Sequence, residues 1–83
     1  MEALILGNRE EVFNGNIKEA ILTGADGEVS IWDFHQPCLV MLKEGRMTIK
    51  LDNEQRNFMI ADGLVKFKGN RLVVICNMKE QFS

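Results

Sequence analysis

The stretch from which the fold follows most directly is VKFKGNRLVVIC, residues 65–76. Val65 and Phe67 alternate with two lysines, which is the period of a β-strand that buries one face. The Gly-Asn pair that follows is a two-residue loop of the kind that joins hairpin strands. The continuous apolar run of residues 72–76 is typical of a strand inside a sheet. The stretch therefore predicts an antiparallel hairpin.

Short apolar segments separated by turn residues extend this pattern in both directions. Met47, Ile49 and Leu51 alternate with polar residues, and no segment of ten or more residues carries a helical stripe. Turns are predicted at Asn14-Gly15, Asp26-Gly27, Glu44-Gly45 and Asp52-Asn53, with a bend or bulge at Asp62-Gly63. This spacing predicts one all-β domain over residues 1–83, a small flattened sandwich or barrel of about ten short strands.

The composition excludes several classes of protein. The 83 residues carry 10 Lys and Arg against 12 Asp and Glu, a net charge of −2. This balance argues against a nucleic-acid partner, which requires clustered cations. No apolar run approaches the roughly 20 residues that cross a bilayer. The acidic start at Glu2 is unlike a secretory signal.

Few residues qualify for catalysis or metal binding. Asp33 and His35 form the only carboxylate–imidazole pair, and zinc requires three or four ligands. Ser30, Cys38 and Cys76 are the candidate nucleophiles, yet none lies in a recognisable catalytic motif. Both cysteines sit in apolar runs, which predicts buried, reduced thiols and a reducing compartment such as the cytoplasm. We therefore predict no catalytic residue, no metal and no cofactor.

Two features have both a binding and a structural interpretation. Asp26 and Glu28 either form an acidic loop that faces a basic partner or belong to an ordinary turn. Trp32 and Phe34 either form a protein-contact patch or close one end of the sandwich. The residues by themselves leave both alternatives open.

An ordered set of short motifs runs through nearly the whole chain. These motifs are Phe13-Asn14-Gly15, TGADGEVS at 23–30, HQPCL at 35–39, LKEG at 42–45, ADGLV at 61–65 and NRLVVICN at 70–77. In order and spacing the set resembles the N-terminal β-sandwich domain of the epsilon subunit of F-type ATP synthases. No single motif is strong, but the ordered set is specific.

The chain also departs from the pattern of that family. Asp33 stands where the family usually has Pro, and Phe34 stands where it has the Gly before the His. Gln36 and Cys38 replace the usual residues on either side of Pro37. Family members usually continue into a C-terminal helical hairpin, whereas this sequence stops at Ser83, after the last predicted strand. The resemblance therefore implies a short or trimmed form, to which the inhibitory and ATP-binding roles of the hairpin do not transfer.

The resemblance implies a role in the rotor and two protein contacts. The domain would join the gamma subunit to the ring of c subunits, peripherally at the cytoplasmic face of the membrane, without catalysis, nucleotide or membrane insertion. The implied c-ring contact consists of Gly24, Ala25, Asp26, Gly27, Glu28, Val29 and Ser30. The implied gamma contact consists of Trp32, His35, Pro37, Cys38, Leu39 and Met41.

Two interpretations from other classes remain at this stage. One is a small β-barrel binding module, for nucleic acid or protein, that is unrelated to ATP synthase. It would require a basic face studded with aromatic residues, and the chain has no Tyr and one Trp. The other is a small hydrolase or redox protein that uses Cys38 or Cys76, which would require a thiol that reacts readily in the folded state.

Overall fold

A computed structural model of the protein describes residues 1–79. These residues form eight strands and no helix. The strands are β1 (Glu2–Gly7), β2 (Glu10–Asn16), β3 (Glu19–Gly24), β4 (Gly27–Trp32), β5 (Cys38–Leu42), β6 (Gly45–Lys50), β7 (Gln55–Lys68) and β8 (Arg71–Met78).

The hairpin predicted from residues 65–76 is confirmed as β7 and β8. Gly69 and Asn70 both have positive φ, 60° and 55°, as a type I′ turn requires. The turn sets a register in which Phe67 pairs with Leu72, and both side chains are buried. A one-residue slip would turn both of them to solvent, so the turn also fixes which face is the core.

The first strand pairs with the last. β1 runs parallel to β8, and on its other side it pairs antiparallel with β2. The turn between β1 and β2 lies at Asn8 and Arg9, which have φ of 52° and 69°. The turn predicted at residues 14–15 is therefore wrong. Asn14 and Gly15 lie inside β2, because this edge strand stays paired with β1 as far as Asn16.

The long strand β7 belongs to both layers of the sandwich. Residues 55–60 pair with β6, and residues 63–67 pair with β5. The register shifts between Ile60 and Asp62, which confirms the predicted bulge. One layer has the strand order β2-β1-β8-β7-β5. In the other layer β7 pairs with β6, β6 with β3, and β3 with β4. The all-β sandwich is confirmed. The described residues hold eight strands, fewer than the ten expected, partly because the bulge leaves β7 continuous.

The core lies between these layers and is almost entirely apolar. Alternate residues of each strand point into it, and the largest fully buried side chains are Phe67, Ile5, Leu22, Ile31, Met47, Ile49, Ile60, Leu72, Val65 and Val74. Complete burial of one such side chain stabilises the fold by about 1.5–3 kcal/mol. The core therefore uses the inward-facing half of each strand and leaves the outward-facing half for other roles.

Candidate docking surfaces

The layer that contains β1, β5, β7 and β8 is apolar on its solvent side as well as on its core side. Because successive side chains of a strand point to opposite faces, the neighbours of buried residues point outward. The pairing register aligns these outward residues in two rows across the sheet. We call them the outer face, which consists of Met41, Leu64, Ile75 and Leu6 in one row and Leu39, Lys66, Val73 and Leu4 in the other.

The outer face is open to solvent. Leu39, Met41 and Ile75 are 65%, 63% and 56% exposed. Beside Met41 and Ile75 lies a cleft of about 550 Å³, at the point where β7 and β8 approach closely. A Cβ at Gly63 would lie 2.8 Å from Cβ of Cys76. Scattered apolar residues are normal on protein surfaces, whereas a contiguous patch marks an interaction site.

Positive charge borders this patch at the β7–β8 turn. Lys66 lies within the outer face, and Lys68 and Arg71 face one another in the next register position. Together with Val73, the three cations line a shallow cleft of about 280 Å³. Within residues 1–79 none of the three forms a salt bridge with a carboxylate. A partner that covers the apolar rows would therefore meet positive charge at their edge.

Residues 24–30, which we call the acidic turn, comprise the last residue of β3, the connection at Ala25 and Asp26, and the first four residues of β4. Asp26 and Glu28 are exposed, as expected for a turn that faces solvent or a partner. The Ala25 N–H donates to the Met41 carbonyl over 2.9 Å, so the turn is attached to β5. A cleft of about 390 Å³ separates the turn from residues 39–41. The structure thus places residues of the predicted c-ring contact next to Leu39 and Met41 of the predicted gamma contact.

The remaining residues of the turn differ in exposure. Gly24 is buried, Ala25 is exposed, and Gly27, Val29 and Ser30 are intermediate. Val29 packs against the core, which leaves the two carboxylates and Ala25 as the most accessible members of the set.

The loop of residues 32–37, which we call the contact loop, presents two large apolar side chains. Trp32 is 61% exposed and Phe34 is 83% exposed. Trp32 is the last residue of β4 and lies on the same side of that strand as Glu28 and Ser30. It therefore lies outside the two rows of the outer face, and the structure does not group it with Leu39 and Met41.

His35 and Pro37 are exposed as well, like the rest of this loop. The imidazole of His35 meets the ring of Phe67 edge to face, with 6.0 Å between ring centroids. Its Nδ1 lies 2.8 Å from the Gln36 carbonyl oxygen. These contacts orient the His35 ring against the sandwich.

Both thiols are free and face the interior. Cys76 is buried, and Cys38 is half-buried and packs against the core. Burial raises the pKa of both thiols, and the charge of Asp62 adds to the effect at Cys76. The thiolate is the nucleophilic form, so these environments favour structural cysteines.

Within residues 1–79, no group of three His, Cys, Asp or Glu side chains is arranged to hold a metal ion. The same part of the chain contains no helix long and apolar enough to cross a bilayer.

The family resemblance implied a gamma contact at two members of the outer face, Leu39 and Met41. It implied no contact at the other apolar members, which are Leu4, Leu6, Leu64, Val73 and Ile75. The signal was present in β1 and β8, whose residues are apolar at consecutive positions and not only at alternate ones. A strand that is apolar on both faces while one face is open to solvent indicates a missing partner.

Comparison with known proteins places the chain in a family. The family described as "ATP synthase, Delta/Epsilon chain, beta-sandwich domain" matches residues 2–81. An ATP synthase epsilon chain from Caldicellulosiruptor bescii is 32% identical over 79 residues, which cover 95% of this chain and 58% of the relative. One from Psychrobacter cryohalolentis is 26% identical over 78 residues, which cover 93% of this chain and 56% of the relative. The chain thus spans less than two thirds of these curated relatives.

Solved structures agree on the fold. A chain of the Tetrahymena thermophila mitochondrial ATP synthase, from a structure of its central stalk and c-ring, superposes with a TM-score of 0.80. It is 17% identical, and the match covers 93% of this chain and 63% of that chain.

Proposed function

Because the chain belongs to the ATP synthase delta/epsilon family of β-sandwich domains, we propose that it works as a subunit of the central stalk of an F-type ATP synthase. In this proposal residues 1–83 form one domain that joins the gamma subunit to the c-ring. It turns with the rotor and transmits torque, at the cytoplasmic face of the membrane and without inserting into it. The observation that carries the proposal is an exposed apolar sheet face in a member of this family.

The outer face is the proposed contact with gamma. Its two rows present Leu39, Met41 and Ile75, each more than half exposed, on a rigid sheet whose backbone is already paired. Burial of such side chains against a partner is the main favourable term in association. The basic edge at Lys68 and Arg71 favours a gamma surface that carries carboxylates beside an apolar patch.

The acidic turn is the proposed contact with the c-ring. Asp26 and Glu28 are exposed carboxylates on a turn that is hydrogen-bonded to β5. Carboxylates in this position attract basic loops of c subunits and accelerate their docking. Since such contacts are screened by salt, this contact weakens as ionic strength rises.

The subunit is proposed to be non-catalytic and to need no cofactor. Its two thiols are buried or half-buried with raised pKa, and Asp26 and Glu28 are exposed rather than held in a cleft. General acid–base pairs depend on environments that separate their pKa values. The side chains of the domain thus serve packing and docking.

Calorimetric titration into the gamma subunit of the same source tests the first contact. We expect one-to-one binding that Met41→Lys weakens by at least tenfold. The control is Asn53→Lys, which adds the same charge in an exposed turn away from the outer face. Trp32→Ala and His35→Ala show whether the contact loop adds to this interface. Absence of binding at tens of micromolar, or equal effects of the two lysine variants, overturns the gamma assignment.

A second titration tests the contact with the c-ring. Glu28→Lys should weaken binding to a detergent-solubilised c-ring, whereas Glu11→Lys, on the edge strand β2, should leave it unchanged. Salt-dependent binding of single-stranded oligonucleotides instead, with no c-ring binding, would favour an unrelated nucleic-acid module.

A further inference from the structure

The contact loop contains a tight turn in a conformation that its sequence does not favour. The His35 N–H donates to the Trp32 carbonyl over 3.2 Å, which closes a four-residue β-turn over residues 32–35. Phe34 occupies the third position of this turn with φ of 61°. Positive φ at that position ordinarily selects glycine or asparagine, because the Cβ of other residues crowds the backbone. A bulky aromatic residue is therefore strained there.

The Phe34 ring does not offset this strain by packing within the domain. It is 83% exposed, the largest value among the large apolar side chains of residues 1–79. Phe34 belongs neither to the core nor to the half-buried apolar residues that pack against it. An aromatic side chain stabilises a fold through the apolar area that it buries, and this ring stays in water. Residues held in strained conformations cluster at functional sites, which points to a use for the ring outside the domain.

The neighbouring hairpin holds this turn in place. The Phe34 N–H donates to Asn70 Oδ1 over 2.8 Å. Asn70 has φ of 55° in the two-residue loop between β7 and β8, so its side chain is carried by a backbone conformation that the hairpin itself requires. The backbone of Phe34 therefore has a fixed place beside the β7–β8 turn.

The β7–β8 turn brings positive charge to the same place. Lys68 and Arg71 flank its Gly-Asn loop and face one another, and Lys66 connects this basic edge to the outer face. Glu2 lies opposite Arg71 in the β1–β8 register, and Asp33 precedes Phe34 in the contact loop. The three cations outnumber these two carboxylates. The exposed ring thus lies at an end of the outer face where the charge is positive.

We propose that Phe34 is an anchor residue of the gamma contact: its ring enters an apolar recess of gamma, and carboxylates at the border of that recess meet Lys68 and Arg71. This inference rests on the proposed function and adds a residue that lies outside the predicted gamma contact. A phenyl group gains affinity by leaving water, and the cations beside it favour anionic neighbours. Aromatic side chains that fill partner pockets are typical anchors of protein interfaces.

Two substitutions of Phe34 separate binding from strain. Phe34→Gly removes the ring and also relieves the strain, because glycine adopts positive φ without crowding. Phe34→Ala removes the ring and keeps the Cβ. Because the ring is exposed, Tm of both variants should stay within about 4 °C of the unsubstituted chain, with Phe34→Gly the higher of the two. A fall in Tm of more than about 8 °C in Phe34→Gly would show that the ring serves the fold, and would overturn the proposal.

Calorimetric titration into gamma at low and high salt supplies the binding measurement. We expect Phe34→Gly and Phe34→Ala each to weaken binding about tenfold, as for loss of an interface anchor. Lys68→Gln should weaken binding about threefold and reduce its dependence on salt. The matched control is Lys43→Gln, which removes an exposed cation just beyond the opposite end of β5 and should leave affinity unchanged.

The outcomes distinguish this inference from the proposed function. If the unsubstituted chain binds gamma and Met41→Lys weakens that binding, but Phe34→Gly does not, the anchor role is overturned and the outer face stands. Equal effects of Lys68→Gln and Lys43→Gln overturn the carboxylate border. Binding of a single-stranded oligonucleotide that Phe34→Gly abolishes would assign the ring to nucleic acid and overturn the proposal. If the unsubstituted chain does not bind gamma, the proposed function is wrong, and the anchor role falls with it.

Discussion

Two adjacent residues of β8 provide a sharp test of the outer face. Val74 is 0% exposed and points into the core, whereas Ile75 is 56% exposed and points outward. Replacement of each by Ala should therefore have opposite effects. Val74→Ala should lower the free energy of unfolding and spare gamma binding, whereas Ile75→Ala should weaken binding and largely spare stability.

The magnitudes follow from burial. Complete burial of an isoleucine side chain is worth about 1.5–3 kcal/mol, so burial of the exposed 56% of Ile75 in the complex contributes about 1–1.5 kcal/mol. Ile75→Ala should thus weaken binding about five- to tenfold. Val74→Ala deletes two buried methyl groups, a loss of about 2 kcal/mol when the cavity is included. Tm should fall by about 8–16 °C.

Both variants should remain folded, because a domain of 83 residues has a free energy of unfolding of about 4–12 kcal/mol. Calorimetric titration into gamma at 25 °C and urea unfolding supply the two measurements. Unchanged affinity of folded Ile75→Ala would refute the docking role of the outer face. A loss of stability in Ile75→Ala as large as that in Val74→Ala would refute the assignment of faces.

Three further predictions concern the fold itself. Gly63→Ala should lower the free energy of unfolding by about 1–3 kcal/mol, because the new Cβ would lie 2.8 Å from Cβ of Cys76. Urea titration measures this loss. Gly15→Ala is the control with a smaller expected effect, because the nearest atom to its Cβ is 3.3 Å away. The pKa of Asp33 is lowered, mainly by its hydrogen bond with the Met1 ammonium group. This contact therefore stabilises the contact loop above the unfolded-state pKa of about 4, and the effect is lost as pH falls through the folded-state pKa. Trp32 lies next to this carboxylate, so its fluorescence should report the acid transition. If the same transition persists in Asp33→Asn, Asp33 is not the group that titrates. In the native protein Cys76 should react with iodoacetamide far more slowly than in the protein unfolded by urea, because burial raises its pKa. Equal rates in the two states would show that the native thiol is accessible.

Much of the fold was predictable from local pattern. The structure confirms the Gly-Asn loop predicted at residues 69–70. It also contains the bulge predicted at residues 62–63, slightly earlier in the chain, between Ile60 and Asp62. Each depends on the conformational preferences of a few adjacent residues, which the sequence displays directly. The turn predicted at residues 14–15 was wrong because an Asn-Gly pair also fits an edge strand when the neighbouring strand keeps it paired.

The docking surfaces were less predictable. The resemblance to the epsilon family implied Leu39 and Met41, yet the other apolar members of the outer face come from β1, β7 and β8. Periodicity distinguishes the two faces of one strand, but it does not say which strands become neighbours. The adjacency of the acidic turn and β5 likewise depends on the hydrogen bond between Ala25 and Met41, which no local pattern reports.

The sequence by itself determined the fold class, the main hairpin, the acidic character of the turn and the family. These properties follow from alternation, turn residues and motif order, which are written along the chain. Only the tertiary structure decided that β1 lies parallel to β8, that four strands assemble one apolar outer face, and that the acidic turn is hydrogen-bonded to β5. The physical reason is that pairing between distant segments is selected by the burial of the whole core, and its register is a property of two strands together.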